Sequence, residues 1–281
     1  MNLLRCFALS FDVRDVQIPA VLLLVDIGNT HTHVALAEDH TVRRARNFRT
    51  SEWASGDMPR RILGHVDNRD VTDVAVCSVV PAATLRAVAF VKRTWKRQPF
   101  QLNSRTVRGI GIDYPRATTI GADRLANAVA ARRMFGAPVA VVDFGTAVTF
   151  DVVNQAGNYV GGIIAPGLEV MTSYLHEKTA LLPRIRIREV RTAIGKSTEQ
   201  AMLVGAVHGY RGLIRELIGK LKAELNCRRL PVIATGGYAE LIASELPEIT
   251  AVDALLTLKG ILRAWELHQT RPGLRVRTGQ L

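Results

Sequence analysis

The sequence predicts an α/β protein of duplicated type, with strands, helices and a cleft between the two halves. Strand-like runs alternate with stretches of helical periodicity along most of the chain. One unit of strand, acidic tip, Gly/Thr turn and second strand occurs twice. Its first copy is Asp26-Ile27-Gly28-Asn29-Thr30-His31-Thr32 and its second Asp143-Phe144-Gly145-Thr146-Ala147-Val148-Thr149, each behind a run of buried character, "VLLLV" and "VAVV". Asp-x-Gly alone is common where a strand enters a turn, because both residues favour turns. Two copies, each with a following threonine, point to duplication instead.

The elements follow in order. Period-2 and buried runs predict strands at 21–26, 33–37 and 42–48, then a helix over 52–66. "VTDVAVCSVVP" reads as a buried strand stopped by Pro81, and "AATLRAVAFVKRTW" as the helix after it. "ADRLANAVAARRMF" is a second helix, closed by Gly136. Strands follow at 138–143, 147–153 and 158–164, with "NQAG" turning between the last two. Helices are expected over 167–180 and 197–225, the latter broken near Gly205 or Gly209. "LPVIATGG" supplies a strand, and "YAELIASEL" and "DALLTLKGILRAWELH" the last helices. The division is an extension over 1–20, units over 21–137 and 138–268, and a tail over 269–281.

Composition narrows the class. With 281 residues, 48% of them hydrophobic and 22% charged, the chain can bury substantial cores. No apolar run approaches the ~20 residues that span a bilayer. The opening "MNLLRCFALSF" is short, interrupted by Arg5, and followed by Asp12, Arg14 and Asp15 without a small-residue cleavage site. That disfavours a secretory signal. Cys6, Cys77 and Cys227 are odd in number and widely spaced, arguing against a disulfide framework or structural zinc and for a cytoplasmic protein. The net charge of +12 comes from arginines scattered along the chain, without interleaved aromatic residues for base stacking. Nucleic-acid binding is therefore the minority expectation, and an anionic substrate suits the same charge.

Phosphate chemistry is what the repeated turn suits. Glycine lets the backbone approach a phosphoryl group, turn N–H groups donate to its oxygens, and threonine hydroxyls add donors. An acidic tip can hold a hydrated cation that bridges phosphates. Two such hairpins across a cleft would grip one nucleotide from both sides. "AIGKST" at 193–198 is a decoy: a Walker A loop needs glycine where Val190 stands.

The hairpins resemble the phosphate motifs of the actin, sugar-kinase and Hsp70 superfamily, and "GADRLAN" at 121–127 narrows the resemblance. The order DIGNT, SVVP, GADR, DFGTAVT, GGIIAPG, ATGG resembles type III pantothenate kinases over residues 21–267. The resemblance implies duplicated actin-like (ribonuclease H-like) α/β domains with mixed sheets and an interdomain ATP cleft. It implies ATP-dependent phosphorylation of pantothenate to 4′-phosphopantothenate, the first step of coenzyme A biosynthesis. It also implies Mg²⁺, a potassium or ammonium ion, and a homodimer. The alternative is a transcriptional accessory factor of the same family, or a nucleic-acid-binding regulator without kinase activity.

Residue by residue, the resemblance makes Asp26, Ile27, Gly28, Asn29, Thr30, His31, Thr32 and His33 the first ATP-phosphate hairpin, with Asp26 near Mg²⁺. Gly121, Ala122, Asp123 and Arg124 line the pantothenate site, Asp123 as proton acceptor. Asp143 resembles the monovalent-cation ligand, Thr146 an ATP-phosphate contact, and Gly236 and Gly237 the room left for adenosine. Tyr114 and Thr198 match pantothenate contacts, the Thr198 region reaching toward a neighbouring subunit. The family usually follows that tyrosine with Asp-Asn-Pro, where this chain has "YPRAT". Each residue also has a plainer role: a helix cap for Asp123 or Thr198, a packing residue for Tyr114, solvated turn residues for His31 and His33.

Overall fold

A computed structural model describes residues 21–270. The extension expected over 1–20, and the expected tail beyond residue 270, lie outside the described residues.

The chain opens with β1 (Val21–Ile27), buried along its whole length, followed by β2 (His31–Glu38) and β3 (Thr41–Arg49). The helix expected over 52–66 is two helices, α1 (Glu52–Ser55) and α2 (Met58–Val66). Gly56 ends the first at φ +86°, and Pro59 sits in the opening turn of the second, where its missing N–H is harmless. Next come β4 (Val71–Ser78) and α3 (Pro81–Trp95). Pro81 thus begins a helix as well as following a strand. The two-residue strands β5 (Phe100–Gln101) and β6 (Gly111–Ile112) are too short for periodicity to reveal. After a 3₁₀ turn (Ala117–Thr119) come α4 (Ala122–Phe135), β7 (Val139–Phe144), β8 (Ala147–Val153), β9 (Asn158–Pro166) and α5 (Leu168–Lys178).

The long helix α6 (Thr198–Glu224) is unbroken, contrary to expectation. A glycine inside a helix costs only about 1 kcal/mol. Against that, Leu203, Val207, Tyr210, Ile214, Ile218 and Leu221 bury one continuous face, each large side chain contributing about 1.5–3 kcal/mol. The chain closes with β10 (Val232–Thr235), α7 (Ala239–Ala243), β11 (Ala251–Val252) and α8 (Leu256–Gln269).

The strands form two sheets, ordered β3-β2-β1-β4-β5 and β11-β10-β7-β8-β9-β6. Their pairing repeats. In the first, β1 runs antiparallel to β2 and parallel to β4, and β2 antiparallel to β3. In the second, β7 runs antiparallel to β8 and parallel to β10, and β8 antiparallel to β9. The duplication read from two short motifs is therefore a duplication of whole sheets.

Alternation along the strands sets the layers. Val21, Leu23, Val25 and Ile27 of β1 pack outward on α1, α2 and α3, while Leu22 and Leu24 face inward. Ala140, Val142 and Phe144 of β7 pack outward on α5, α6 and α7, while Val139 and Val141 face inward. The inner rows share one core with α4 and α8, which lie against each other between the sheets. This explains why α4 lacks an amphipathic stripe: Leu125 to Ala131 are all buried. Gly260 lets the backbone of α8 approach Ala126 of α4 more closely than any Cβ would permit. Among the described residues no helix is long and apolar enough to cross a membrane, and Cys77 and Cys227 are both free thiols.

Candidate active site

Both inner rows turn from apolar to polar at the same end. On β1 the inward row runs Leu22, Leu24, Asp26; on β7 it runs Val139, Val141, Asp143. Asp26 pairs in register with His33 of β2 and Cys77 of β4, and Asp143 with Thr149 of β8 and Thr235 of β10. The equivalent positions of the two sheets thus carry a carboxylate each. The turns beyond them meet: the hydroxyls of Thr30 and Thr146 lie 2.8 Å apart.

Each turn is tied down from below. The Gly28 N–H donates to the His31 carbonyl at 2.9 Å, and the Thr50 hydroxyl to the Gly28 carbonyl at 2.7 Å. Ile27 and Thr32 are fully buried on the outward side, the Thr32 hydroxyl taken by Thr50 and the Trp53 indole. Only the backbone of these two can reach the cleft. Asn29, Thr30 and His31 are exposed at the tip. His33 is half-buried on the inner row, and burial first, then His31, holds its pKa below the ordinary value. It is therefore not the solvated turn residue expected. Under the second hairpin, a Cβ on Gly167 would strike the Gly145 and Thr146 carbonyls, and the Gly167 N–H donates to the Thr146 carbonyl at 3.1 Å.

All three carboxylates of this cluster are shifted upward. Burial, reinforced by Asp123 and Asp143, lifts Asp26 to about 8. Burial and then Asp123 lift Asp143 to about 6, against a hydrogen bond from Asn127. Burial also raises Asp123, with Arg124 pulling the other way. A cationic ligand or a row of backbone donors would return these groups to their charged forms.

The start of α4 stands among them. Gly121 is the cap residue, so Asp123 lies inside the first turn and does not cap it; its carboxylate accepts the Arg124 N–H at 2.8 Å. A Cβ on Gly121 would come within 2.5 Å of that carboxylate. Ala122 is buried beneath. One turn along, Asn127 is fully buried, donating to Asp143 at 3.1 Å and accepting from Thr257 of α8 at 2.8 Å. Sequence reasoning missed Asn127, although its i+4 spacing from Asp123 was a usable signal. It also missed Asp151, on the inner row of β8, which pairs with Arg124 at 2.6 Å. Cys77, hydrogen-bonded to Asp26, was counted only as a thiol.

The remaining candidates divide. Gly236, at φ +91°, has Asp143 Oδ1 only 2.6 Å from where its Cβ would be, so a side chain there would strike the carboxylate. Gly237 faces open space. Tyr114 is partly exposed, its ring edge-on to Tyr159 at 6.2 Å and resting over Gly161. Thr198 is exposed at the first turn of α6, with no hydrogen bond to the cleft residues above; Ser197 is the cap, accepting from the Gln200 N–H at 3.2 Å.

Two sheets whose principal strands pair in the same way, with their hairpin tips in contact over facing carboxylates, make this a duplicated actin-like α/β protein. Solved structures agree at the level of fold. Component A of (R)-2-hydroxyglutaryl-CoA dehydratase from Acidaminococcus fermentans matches with TM-score 0.50 and 14% identity, covering 89% of this chain and 98% of that one. A Campylobacter jejuni structure named for the Baf family of transcriptional activators matches with TM-score 0.52 and 16% identity, covering 86% and 96%. Sequence comparison is more specific. The family model for type III pantothenate kinase matches residues 22–220. Type III pantothenate kinases of Methylacidiphilum infernorum and Akkermansia muciniphila are each 45% identical, over 85% of this chain and 86% and 96% of theirs. The chain belongs to the type III pantothenate kinase family.

Proposed function

We propose that the protein transfers the γ-phosphate of ATP to the primary hydroxyl of pantothenate, giving 4′-phosphopantothenate and ADP at the entry to coenzyme A synthesis. The observation that carries this reading is the contact of Thr30 with Thr146 above Asp26 and Asp143, beside the start of α4. Phosphoryl transfer asks mainly for positioning and charge neutralisation. The backbone of the 28–30 and 145–146 turns, with the Thr30 and Thr146 hydroxyls, holds the phosphate oxygens in this reading. Gly236 and Gly237 leave the adenosine its space. Asp123 takes the pantothenate hydroxyl proton as that oxygen bonds to the γ-phosphorus and the bond to ADP breaks. Burial raises Asp123, which makes it a better proton acceptor than a solvated carboxylate. Arg124 presents its guanidinium to the pantothenate carboxylate, and Tyr114 and Thr198 complete that site.

Asp26 fits Mg²⁺ bound through phosphates and water. Among the described residues no three His, Cys, Asp or Glu side chains form a metal-binding group, and Mg²⁺ accepts one carboxylate when phosphates supply the rest. When bound, it would neutralise phosphate charge. Asp143, held by Asn127, fits a potassium or ammonium ion. We read 21–137 and 138–268 as the two lobes, in a cytoplasmic homodimer. Val170, Met171, Tyr174 and Leu175 leave an apolar face of α5 exposed, which a second copy would cover.

A coupled ADP-release assay tests the reaction. Turnover should require pantothenate, Mg²⁺ and potassium or ammonium. Folded protein that releases no ADP with all of them present, beside ATP, rejects the kinase reading.

A further inference from the structure

Asp151 is a buried carboxylate that the reaction above does not use. It lies on the inner row of β8 and is fully shielded from solvent. Oδ1 accepts from Arg124 Nε at 2.6 Å and, weakly, from the Tyr159 hydroxyl at 3.4 Å, while Oδ2 is buried with no hydrogen-bond partner. Burial raises its pKa to about 7, against the pull of Arg124. A buried pair seldom adds stability over apolar residues of the same volume, because desolvation of both charges offsets their attraction. A mere staple between α4 and β8 would be better made from leucine and valine.

The surroundings of the pair fix one orientation of Arg124. Its Nη2 donates to the Phe150 carbonyl at 2.8 Å, and its guanidinium lies 5.9 Å from the centre of the Tyr159 ring. Gly162 of β9 leaves the space: a Cβ there would stand 2.8 Å from Nη2 and collide with the Phe150 carbonyl. Nη1 bonds to no described protein atom, and the side chain keeps 15% of its surface exposed. One edge of the guanidinium is therefore clamped, while Nη1 is left without a described protein partner, near enough to Asp123 for the two charges to interact. Arg124 follows Asp123 directly in the chain, and without the clamp its guanidinium could turn to the Asp123 carboxylate instead.

We propose that Asp151 is a positioning residue for the acceptor, holding the Arg124 guanidinium away from Asp123 and presenting its free edge to a carboxylate on the substrate. Tyr159 and Gly162 shape the slot in which that clamp forms. The proposal rests on the pantothenate kinase reading and adds a residue to it.

The test is a coupling measurement in the full-length protein. Asp151→Asn should raise the KM for pantothenate about tenfold or more, roughly the effect of loosening one charge-assisted contact. The KM for ATP and kcat should stay within about threefold in the same variant. Arg124→Gln should raise the same KM at least as much. Combined with it, Asp151→Asn should add less than about twofold, because the clamp then has nothing to hold. A purely structural Asp151 would lower the melting temperature and disturb both substrates alike, or add its full effect in the double variant. Either result overturns the proposal. Should Asp151→Asn alone fold poorly, comparing Arg124→Gln with the double variant, in which neither charge is left unpaired, still gives the answer. Wild-type protein that turns over no pantothenate would reject the kinase reading itself, and with it the role of Arg124. Wild-type turnover with additive variants would reject only the clamp.

Discussion

The hydroxyls of Thr30 and Thr146 stand 2.8 Å apart, although they lie on turns of different sheets and in different halves of the chain. This contact puts two turns of the same design on opposite walls of one cleft. If both turns hold one polyphosphate, each hydroxyl contributes separately to it. Thr146→Val keeps the shape and removes the donor. It should raise the KM for ATP about tenfold, the cost of one hydrogen bond to a charged group, with little change in the KM for pantothenate. Steady-state kinetics with each substrate varied in turn decides it. An unchanged KM for ATP would remove the second hairpin from the nucleotide site.

Asp123 should matter for the chemistry and little for folding. Gly121 is the cap of α4, so no cap is lost with the carboxylate. Asp123→Asn should lower kcat by roughly 10²–10⁴ while circular dichroism and melting temperature stay close to wild type. Near-normal turnover would move the proton acceptor elsewhere.

Gly236 has no room for a side chain. Its φ is +91°, and a methyl group there would stand 2.6 Å from Asp143 and 2.7 Å from the Phe144 backbone. Gly236→Ala should therefore cost about 1–3 kcal/mol. It should also displace Asp143 and weaken the response to potassium or ammonium. Gly237→Ala faces open space and should leave the melting temperature unchanged. Thermal melts of the two variants side by side test the contrast.

The pH dependence follows from the raised carboxylates. The unfolded chain ionises Asp26 and Asp143 near 3.8, while the folded protein holds their protons to about 8 and about 6. Their stabilising contribution is complete below 3.8 and is lost as pH rises, first through about 6 and then through about 8. The melting temperature of the ligand-free protein should therefore fall between about pH 5 and about pH 8. Asp26→Asn should flatten the upper part of that fall and melt higher than wild type near pH 8. Parallel profiles for the two proteins would show that Asp26 is not held protonated by its surroundings.

Much of the arrangement of the candidate site was legible in the residues alone. Asp26 and Asp143 each end a run too apolar to finish on a carboxylate without reason, and glycine and threonine follow at the same spacing. Local chemistry announces itself locally: turns need glycine, phosphates need donors, and a helix start shows in the pattern after it. Asn127 and Asp151 were harder to read. Each is one polar residue inside an apolar element, and its meaning is a partner distant in sequence, Asp143 for one and Arg124 for the other. The unbroken α6 was misread for a related reason, since the buried face that outweighs its glycines forms only against the second sheet.

From its sequence alone this protein has its longer strands and most of its helices, its duplicated turns and the kinase family to which it belongs, because these depend on neighbours along the chain. Only the tertiary structure decided that α4 and α8 lie between the sheets, that both inner rows end in carboxylates at the same mouth, and which partner each buried charge has. A buried charge takes its state from what surrounds it in space, and in this protein those surroundings come from both halves of the chain at once.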